Sequence, residues 1–328
     1  MAIEVAVIGA GGIGSRHAAI VADEPNASVR IVCDVSESRA REVASTVEAQ
    51  AQTSVHEAVS ADGLDAVYIT TPPRERVEIV RAAAERGLAI FCEKPLAATI
   101  SDAKTIVDLV ATHDVPCMVG FCSRFAEPCN RLKSLIDDRT IGEPVTFWST
   151  RAGWGVPSEG NWRVDPEQAC GITIESASHN IDLLRWLGGE IVSASGATAN
   201  ITHPTLPEFD DNLVGIVSFA SGAIGAIQNS WTSHVRFLRH GVIGTEGAAL
   251  VEGDDWWQLD RLTWSTNDSA HTTSITFDQN TATDMGYRGE TQAFLEAIET
   301  GAPPPVDAYD GYRTVELSTE LAGIESSR

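Results

Sequence analysis

The first third of the chain alternates short apolar runs with segments whose apolar residues recur at helical spacing. The runs predict strands over 4–8, 29–33, 66–70, 89–92 and 117–119, and the segments predict helices from residue 13 and over 36–46, 75–86 and 101–113. Such alternation with short connections is typical of a parallel sheet with helices on both faces. We therefore predict an N-terminal α/β domain over 1–120 with a doubly wound parallel sheet.

The pattern changes near residue 120. After one further helix come tryptophan-bearing strands separated by short turns, among them "PVTFWSTRA", "NLVGIVSFA" and "GAIGAIQNSW". Short turns between strands favour antiparallel pairing. Residues 289–298 and 308–324 return to helical spacing. The sequence thus predicts a second α/β domain over 121–328 with a large, mostly antiparallel open sheet, and with C-terminal helices that pack back toward the first domain.

Charge narrows the class of partner. The 328 residues include 46 acids and 23 lysines and arginines, giving a net charge of -23. This charge repels phosphate backbones and anionic membranes, so we expect neither nucleic acid nor a membrane surface as partner, but a small molecule. Only three of the basic residues are lysines, namely Lys94, Lys104 and Lys133. An acid excess with few lysines indicates adaptation to high salt, although high-GC codon usage would also replace lysine by arginine.

The chain reads as a cytoplasmic protein. Its first residues resemble a strand and not a signal peptide, and the longest uncharged run, 212–230, is broken by turn residues and does not resemble a membrane span. Six cysteines lie in or beside apolar runs without a Cys-x-x-Cys pair, at positions 33, 92, 117, 122, 129 and 170. We interpret them as reduced core thiols, and no metal site is predicted.

A glycine turn follows the first strand. Gly9, Gly11 and Gly14 form a Gly-x-Gly-x-x-Gly sequence that opens a helix, where a pyrophosphate can sit on the helix N-terminus. Asp34 closes the second strand twenty residues after Gly14, where a carboxylate accepts ribose hydroxyls and repels a 2'-phosphate. We therefore predict NAD in preference to NADP, while Arg39 and Arg41 keep NADP open.

Two further turns end predicted strands, where an open α/β sheet binds its ligand. The predicted cofactor-binding residues at these turns and at the glycine turn are Gly9, Gly11, Gly12, Ile13, Gly14, Asp34, Thr71, Pro72, Glu93 and Lys94. Lys94 stands out because arginine replaces lysine almost everywhere else, which suggests a role that a fixed guanidinium cannot fill. A solvated loop lysine is the alternative.

Polar and aromatic residues recur along "IESASHNIDLLRW". Glu175, His179, Asp182 and Trp186 stand at steps of four, three and four, which place them on one face of a single predicted helix. The stripe allows three interpretations: a metal site, an acid/base pair, or the solvated polar face of an ordinary helix. The residues by themselves leave all three open.

Five segments, in order along the whole chain, carry a resemblance to a known family. They are "AVIGAGGIGSRH", "TTPP", "GLAIFCEKPLA", "VGFCSRFAEP" and "GITIESASHNIDLLRWLGG". They resemble the landmarks of the Gfo/Idh/MocA family, whose members join a Rossmann domain to an α/β domain with a large open sheet. Most members oxidise or reduce a carbinol carbon of sugars or cyclitols with NAD or NADP.

The resemblance assigns chemistry to the two motifs. It implies that Lys94 contacts the reacting hydroxyl and the nicotinamide ribose, with a cis bond before Pro95, and that His179 removes or returns the hydroxyl proton. Glu175 stands where the family usually has aspartate. It could orient the imidazole or accept a second substrate hydroxyl, and the sequence leaves both open. Asp182 is expected to support the helix.

Sugars present apolar C–H faces to indoles and hydroxyls to fixed donors. The residues predicted to line the substrate pocket on this ground are Arg124, Asn161, Trp162, Arg163 and Trp231. For each of them, core packing or a surface ion pair is the alternative. We further expect a homodimer or homotetramer that associates through the open sheet. Two other functions stay open: NAD-assisted glycoside cleavage without net redox, and a dinucleotide-binding sensor, against which Lys94 and His179 argue.

Overall fold

The computed structural model describes residues 2–206, 209–268 and 271–324. The chain forms two compact units, one made of Met1–Phe121 and Tyr287–Val315 and the other of Cys122–Gly286 and Glu316–Arg328. No helix in the described ranges is long and apolar enough to cross a membrane.

The strands are β1 (Ile3–Ile8), β2 (Ala27–Cys33), β3 (Gln50–Gln52), β4 (Ala66–Ile69), β5 (Ala89–Glu93), β6 (Cys117–Gly120), β7 (Pro144–Trp154), β8 (Ile191–Ala199), β9 (Asn212–Phe219), β10 (Ile224–Ser230), β11 (Thr232–Gly244), β12 (Gly247–Gly253), β13 (Arg261–Thr266) and β14 (Thr273–Thr276). The helices are α1 (Gly12–Asp23), α2 (Glu37–Thr46), α3 (Val55–Ser60), α4 (Arg76–Glu85), α5 (Ile100–His113), α6 (Glu127–Asp137), α7 (Gly171–Glu175), α8 (Ala177–Gly188), α9 (Gln279–Asp284), α10 (Tyr287–Thr300) and α11 (Ala308–Leu321).

The first unit contains a parallel sheet with the strand order β3-β2-β1-β4-β5-β6. In this order the chain runs outward in both directions from β1, so ligands bind beside the carboxyl ends of β1 and β4, where the order reverses. The predicted doubly wound sheet is confirmed. The short elements β3 and α3 were not predicted, because "QAQ" is too short and too polar to carry a strand pattern.

Continuous apolar runs make the central strands of this sheet. β4 and β5 are buried at every position, as expected for parallel strands covered on both faces. Tyr68 and Phe91 stack with ring centroids 4.6 Å apart, and Phe294 of α10 meets both edge-on. Aromatic packing thus joins residues 287–315 to the core of the first unit.

The second unit contains an eight-stranded sheet with the order β14-β13-β12-β11-β7-β10-β9-β8. Its neighbours pair antiparallel except for β10 and β7, which run parallel. The predicted large, mostly antiparallel sheet is therefore confirmed. Side chains alternate along β9: Leu213 and Val217 are buried, whereas Val214 and Ile216 are exposed. Helix α8 packs on the same sheet against β7 and β10.

Candidate active site

The glycine turn connects β1 to α1 with very close backbone packing. Gly9 has a φ of 105°, which favours glycine. A Cβ on Gly14 would lie 1.9 Å from the carbonyl oxygen of Gly9, so only glycine fits there. Thr70, at the end of β4, donates its hydroxyl to the Gly9 carbonyl over 2.7 Å. The turn is thereby fixed to the neighbouring strand.

The other side of the turn is open. A Cβ on Gly11 or Gly12 would meet no other atom within 4 Å, and Gly11 is the N-cap of α1. The backbone N–H groups at the start of this helix, Ile13 among them, therefore face space that a pyrophosphate can enter. This cradle fits the phosphate part of the predicted dinucleotide.

Asp34 presents a carboxylate beside this turn. It accepts hydrogen bonds from the backbone N–H groups of Ala10 and Ser36, both over 2.8 Å, and from Arg39 Nη2 over 2.7 Å. Burial by itself would raise the pKa of Asp34, but the hydrogen bonds from Arg39, Ser36 and Ala10 outweigh it and hold the pKa below its ordinary value. Asp34 is therefore ionised at neutral pH, as recognition of ribose hydroxyls requires.

The two arginines that kept NADP open are paired in the structure. Arg39 contacts Asp34, and Arg41 contacts Glu37 over 2.5 Å. The second pair is exposed on α2. Neither guanidinium is placed on its own beside the ribose position.

The turn that carries Lys94 follows β5. Glu93 is the last residue of that strand, Lys94 is half-buried, and the bond to Pro95 is cis, as the family resemblance implied. The backbone N–H of Lys94 donates to Glu93 Oε2 over 2.9 Å. Thr71 and Pro72 follow the adjacent strand β4, so the predicted residues of both turns lie at the same edge of the sheet.

The predicted single helix over 174–186 is wrong. Two helices occupy the segment, because α7 ends at Glu175 and α8 begins at Ala177. Ser178 donates its hydroxyl to the carbonyl of Glu175 over 2.9 Å, which competes with a continuous ladder of backbone hydrogen bonds. Glu175 thus does not continue the helical stripe that begins at His179.

The interpretation as a solvated polar face is also wrong. The exposed fractions of Glu175, His179 and Asp182 are 7%, 4% and 0%. Buried ionisable groups require partners, and both carboxylates have an arginine. The question raised by the stripe is therefore which chemistry these buried groups support.

Glu175 pairs with a residue that was predicted to line the pocket. Arg163 Nη2 lies 2.7 Å from Glu175 Oε1, and the charge of Glu175 raises the pKa of Arg163. The Arg163 guanidinium also lies 4.6 Å from the ring centroid of Trp162. Asn161 caps this short turn, accepting the backbone N–H of Arg163 over 3.0 Å. Asn161, Trp162 and Arg163 are therefore brought together with Glu175.

Asp182 pairs with a second predicted pocket residue. Arg124 donates through Nε and Nη2 to the two carboxylate oxygens, over 2.9 and 2.5 Å. The pair is almost fully buried, and it ties α8 to the turn that precedes α6. This arrangement agrees with the supporting role expected for Asp182, and it places the Arg124 guanidinium on a protein carboxylate.

His179 lies against an indole that was not predicted. The His179 and Trp257 rings meet edge-on with centroids 5.3 Å apart. The buried Arg151 guanidinium lies 4.5 Å from the Trp257 ring centroid, a cation–π geometry that holds the indole. Trp257 follows β12 in a loop, and the polar segment around it, "GDDWWQLD", gave no periodic apolar signal in the sequence.

A buried polar network holds α8 on the sheet. Asn180 donates to Ser149 Oγ over 2.6 Å and accepts from Asn229 over 3.1 Å, while Ser149 lies 2.8 Å from His240 Nδ1. Burial and the charge of Arg151 lower the pKa of His240 to about 3, so this imidazole is neutral. Because Asn180 is adjacent to His179 in the chain, the network fixes the backbone that presents His179.

Trp231 was also predicted to line the pocket. Its ring is buried in an apolar cluster with Ala169, Ile172 and Phe209. The indole therefore contacts core side chains, the alternative that the sequence had left open.

Side chains of the kind that bind cations cluster at one place among the described residues. The one group of three ligand-type side chains within 4.8 Å of one another is His17, Glu93 and Glu290, all buried in the first unit. The acids near His179 do not form such a group. The six cysteines are free thiols and are buried.

Comparison with known protein families identifies the family of the chain. Residues 3–121 match the GFO/IDH/MocA oxidoreductase family with its NAD-binding Rossmann fold, and residues 129–250 match the GFO/IDH/MocA C-terminal domain. The chain belongs to the Gfo/Idh/MocA oxidoreductase family. This member is therefore an NAD-binding oxidoreductase with its Rossmann fold in the first unit.

Individual relatives align with almost the whole length of this chain. It is 30% identical to scyllo-inositol 2-dehydrogenase (NAD(+)) of Bacillus subtilis, over 99% of this chain and 94% of the relative. It is 29% identical to D-xylose 1-dehydrogenase (NADP(+)) 2 of Haloferax volcanii, over 96% of each. The structure of levoglucosan dehydrogenase with NADH has a TM-score of 0.87 at 23% identity, covering 98% of this chain and 96% of that one, a similarity of fold.

Proposed function

We propose that the protein is an NAD-dependent dehydrogenase that transfers a hydride between nicotinamide and a carbinol carbon of a sugar, sugar derivative or cyclitol. The observation that carries the proposal is the buried imidazole of His179. Its helix is anchored by the buried hydrogen bonds of Asn180, and its ring is packed against Trp257. A base held this way suits proton transfer to and from a hydroxyl.

The chemistry follows from what an alcohol loses on oxidation. The C–H electron pair leaves as hydride, the O–H proton leaves to a base, and a carbonyl forms. NAD⁺, when bound by the glycine turn and Asp34, supplies the hydride acceptor. We assign the proton to the His179 imidazole, and we assign Lys94 to the developing negative charge on the substrate oxygen, where a cationic donor is favourable. Reduction follows the same steps in reverse.

We propose that Glu175 binds a second substrate hydroxyl. The Arg163 guanidinium lies 2.7 Å from the Glu175 carboxylate and neutralises its charge. The carboxylate therefore has little electrostatic effect on a nearby imidazole. A carboxylate held in this way still has lone pairs to accept a hydroxyl proton. Two indole rings are candidate surfaces for the C–H faces of a sugar. They are the ring of Trp257 and the ring of Trp162, on which the Arg163 guanidinium lies.

The substrate class is supported by the relatives. These proteins are named as dehydrogenases of an inositol, D-xylose and levoglucosan, all of them carbohydrates or cyclitols. The NADP-dependent relative makes the cofactor preference of this chain a question for its own residues, and the ionised Asp34 supports NAD.

The experiment is a survey of sugars, sugar acids and cyclitols, following NADH formation with purified protein at low and at molar potassium chloride. We expect oxidation of at least one polyol, with higher activity in salt because ions screen the net charge of -23. Lys94→Ala should lose most of the activity and keep NAD binding, whereas Lys104→Ala, which changes an exposed lysine, should behave as wild type. Sugar release without NADH accumulation, or no turnover by any polyol, would contradict the proposal.

We further propose that the second unit carries substrate recognition and self-association. The open face of its sheet exposes aliphatic side chains on adjacent strands, with Val214, Ile216 and Ile224 at 59%, 66% and 57% exposure. Large contiguous apolar patches on soluble proteins typically mark interfaces. A second copy of the chain is the proposed partner, giving a dimer or tetramer.

Light scattering tests this assembly. Ile216→Asp should yield a folded monomer, while Tyr309→Asp, on an exposed aromatic of the first unit, should leave the mass unchanged. A wild-type monomer at micromolar concentration would contradict self-association. The six buried free thiols support a reducing, cytoplasmic location.

A further inference from the structure

Three buried side chains of the first unit, those of His17, Arg76 and Glu93, are linked by hydrogen bonds to the turn that carries Lys94. We propose that His17 and Glu93 form a positioning pair which, with Arg76, fixes the turn from which Lys94 reaches the substrate. The inference rests on the function proposed above, because it acts through Lys94.

Glu93 makes two directed contacts with its carboxylate. Oε2 accepts the backbone N–H of Lys94 over 2.9 Å, and Oε1 lies 2.8 Å from His17 Nε2. With both oxygens engaged, the carboxylate cannot rotate without breaking one contact. The position of the Lys94 backbone is thereby linked to the position of the His17 ring.

Arg76 holds the same turn from its carbonyl side. Its guanidinium donates to the backbone carbonyls of Glu93 and Pro95, the residues on either side of Lys94. It also donates to the carbonyl of Thr71 over 3.0 and 2.8 Å, so the turns after β4 and β5 share one buried cation. A guanidinium with several fixed donors suits this task better than an ammonium.

His17 connects the turn to the dinucleotide helix. It lies in α1, three residues after Gly14, and its side chain is completely buried. The ring centroid lies 5.5 Å from that of Tyr68, 5.0 Å from that of Phe91 and 5.8 Å from that of Tyr287. These rings prevent the imidazole from turning away. His17 therefore links α1 to the turn of Lys94 through the Glu93 carboxylate.

Electrostatics maintain the contact at neutral pH. Burial would raise the pKa of Glu93, but the hydrogen bond from His17 and the charges of His17, Lys94 and Arg76 outweigh it, and the pKa lies below its ordinary value. An ionised carboxylate accepts the His17 and Lys94 protons more strongly than a neutral acid would.

The decisive experiment combines substitutions at His17 and Lys94, measured on a polyol that the wild type oxidises. His17→Leu removes the contact with Glu93 and should lower kcat about tenfold to a hundredfold, because misplacing a reacting group by about an ångström has that effect. The dissociation constant for NAD should change by less than about threefold, since Asp34 and the glycine turn are untouched. His17→Gln, which can restore a hydrogen bond to Glu93, should recover part of kcat, and the surface variant His113→Leu should leave kcat unchanged.

Combining His17→Leu with Lys94→Ala separates a positioning role of His17 from a general loss of structure. If His17 acts through Lys94, His17→Leu should lower kcat of Lys94→Ala by less than about twofold, because residues that act as a unit are not additive. An equal fold-loss in both backgrounds, or wild-type kcat for His17→Leu, overturns the inference. Full activity of Lys94→Ala alone would instead overturn the proposed function, and the two failures are thus distinguishable.

A second measurement covers the case in which His17→Leu does not fold. Glu93→Gln keeps the side-chain shape, and reductive methylation of the three lysines can be followed by mass spectrometry, with Lys104 and Lys133 as internal references. The rate for Lys94 relative to Lys104 should change by about threefold or more in this variant, because the ammonium is no longer held in place. An unchanged ratio overturns the inference. So does a stoichiometric cation in the purified protein that is lost in both Glu93→Gln and Glu290→Gln, since that would make His17, Glu93 and Glu290 metal ligands.

Discussion

Arg163 and Glu175 form an ion pair of 2.7 Å next to the segment that presents His179. The sequence had left two roles open for Glu175, orienting the imidazole or holding a substrate hydroxyl. The ion pair favours the second, because a carboxylate already neutralised by a guanidinium has a weak field at a distance.

The first prediction concerns Glu175→Gln. We expect KM for the polyol to rise about tenfold, equivalent to one lost hydrogen bond to substrate, while the base pKa in the pH profile of kcat/KM stays within about half a unit. Arg163→Met should raise KM similarly, because it releases the carboxylate from its position. A fall in kcat with a downward shift of the base pKa would instead assign Glu175 to the imidazole.

We expect Asp34 and Arg39 to determine the preference between NAD and NADP. Wild type should use NAD with the higher kcat/KM. Asp34→Ser removes the repulsion of a 2'-phosphate and releases Arg39 from its 2.7 Å contact, so the NADP-to-NAD ratio of kcat/KM should rise about tenfold or more. Asp62→Ser, at an exposed acid, should leave the ratio unchanged. Equal kcat/KM of the wild type with NAD and NADP would contradict the predicted preference for NAD.

The buried pair of Arg124 and Asp182 should contribute to stability. Either Arg124→Met or Asp182→Asn leaves a buried charge without its partner, and each should lower the free energy of unfolding by about 3 kcal/mol or more. The double variant Arg124→Met with Asp182→Leu should recover much of that loss. Glu37→Gln breaks an exposed pair and serves as control, with an expected change below about 0.5 kcal/mol. Denaturant titrations in which single and control variants coincide would contradict the prediction.

Asp210 should make stability depend on pH. Burial raises its pKa to about 6, and it accepts hydrogen bonds from the backbone and hydroxyl of Thr173. Because the folded-state pKa exceeds the unfolded one, the folded state binds the proton more tightly, and the stabilisation is lost as pH rises from about 4 to 6. Asp210→Asn mimics the protonated form. Its stability relative to wild type should therefore rise by about 2 kcal/mol across that range, and a constant difference would show that Asp210 titrates normally.

The sequence predicted the folds of both units because their signals are local. Apolar strand runs, helical spacing and the glycine turn each involve residues that are close together in the sequence. The turn that carries Lys94 was recognised because it ends a predicted strand. The break between α7 and α8 was missed, because the apolar spacing continues through it and the competing hydrogen bond of Ser178 has no signal in that spacing.

Contacts between distant residues could not be predicted in the same way. Arg124 and Arg163 were expected to face substrate, and the structure pairs each with a carboxylate 58 and 12 residues away. His17 lies inside the segment that carried the family resemblance, yet its contact with Glu93 spans 76 residues. Trp257 has no sequence signal at all. Such pairings depend on tertiary packing, which apolar periodicity does not encode.

The central claim is that His179 takes the hydroxyl proton during polyol oxidation by NAD. The pH dependence of kcat/KM for wild type and His179→Ala, followed by NADH formation, tests it most directly. We predict that the wild type loses activity toward acidic pH, and that His179→Ala is slower by about a hundredfold or more, lacks this acidic limb and still binds NAD. A His179→Ala enzyme with wild-type activity and an unchanged pH profile would contradict the claim.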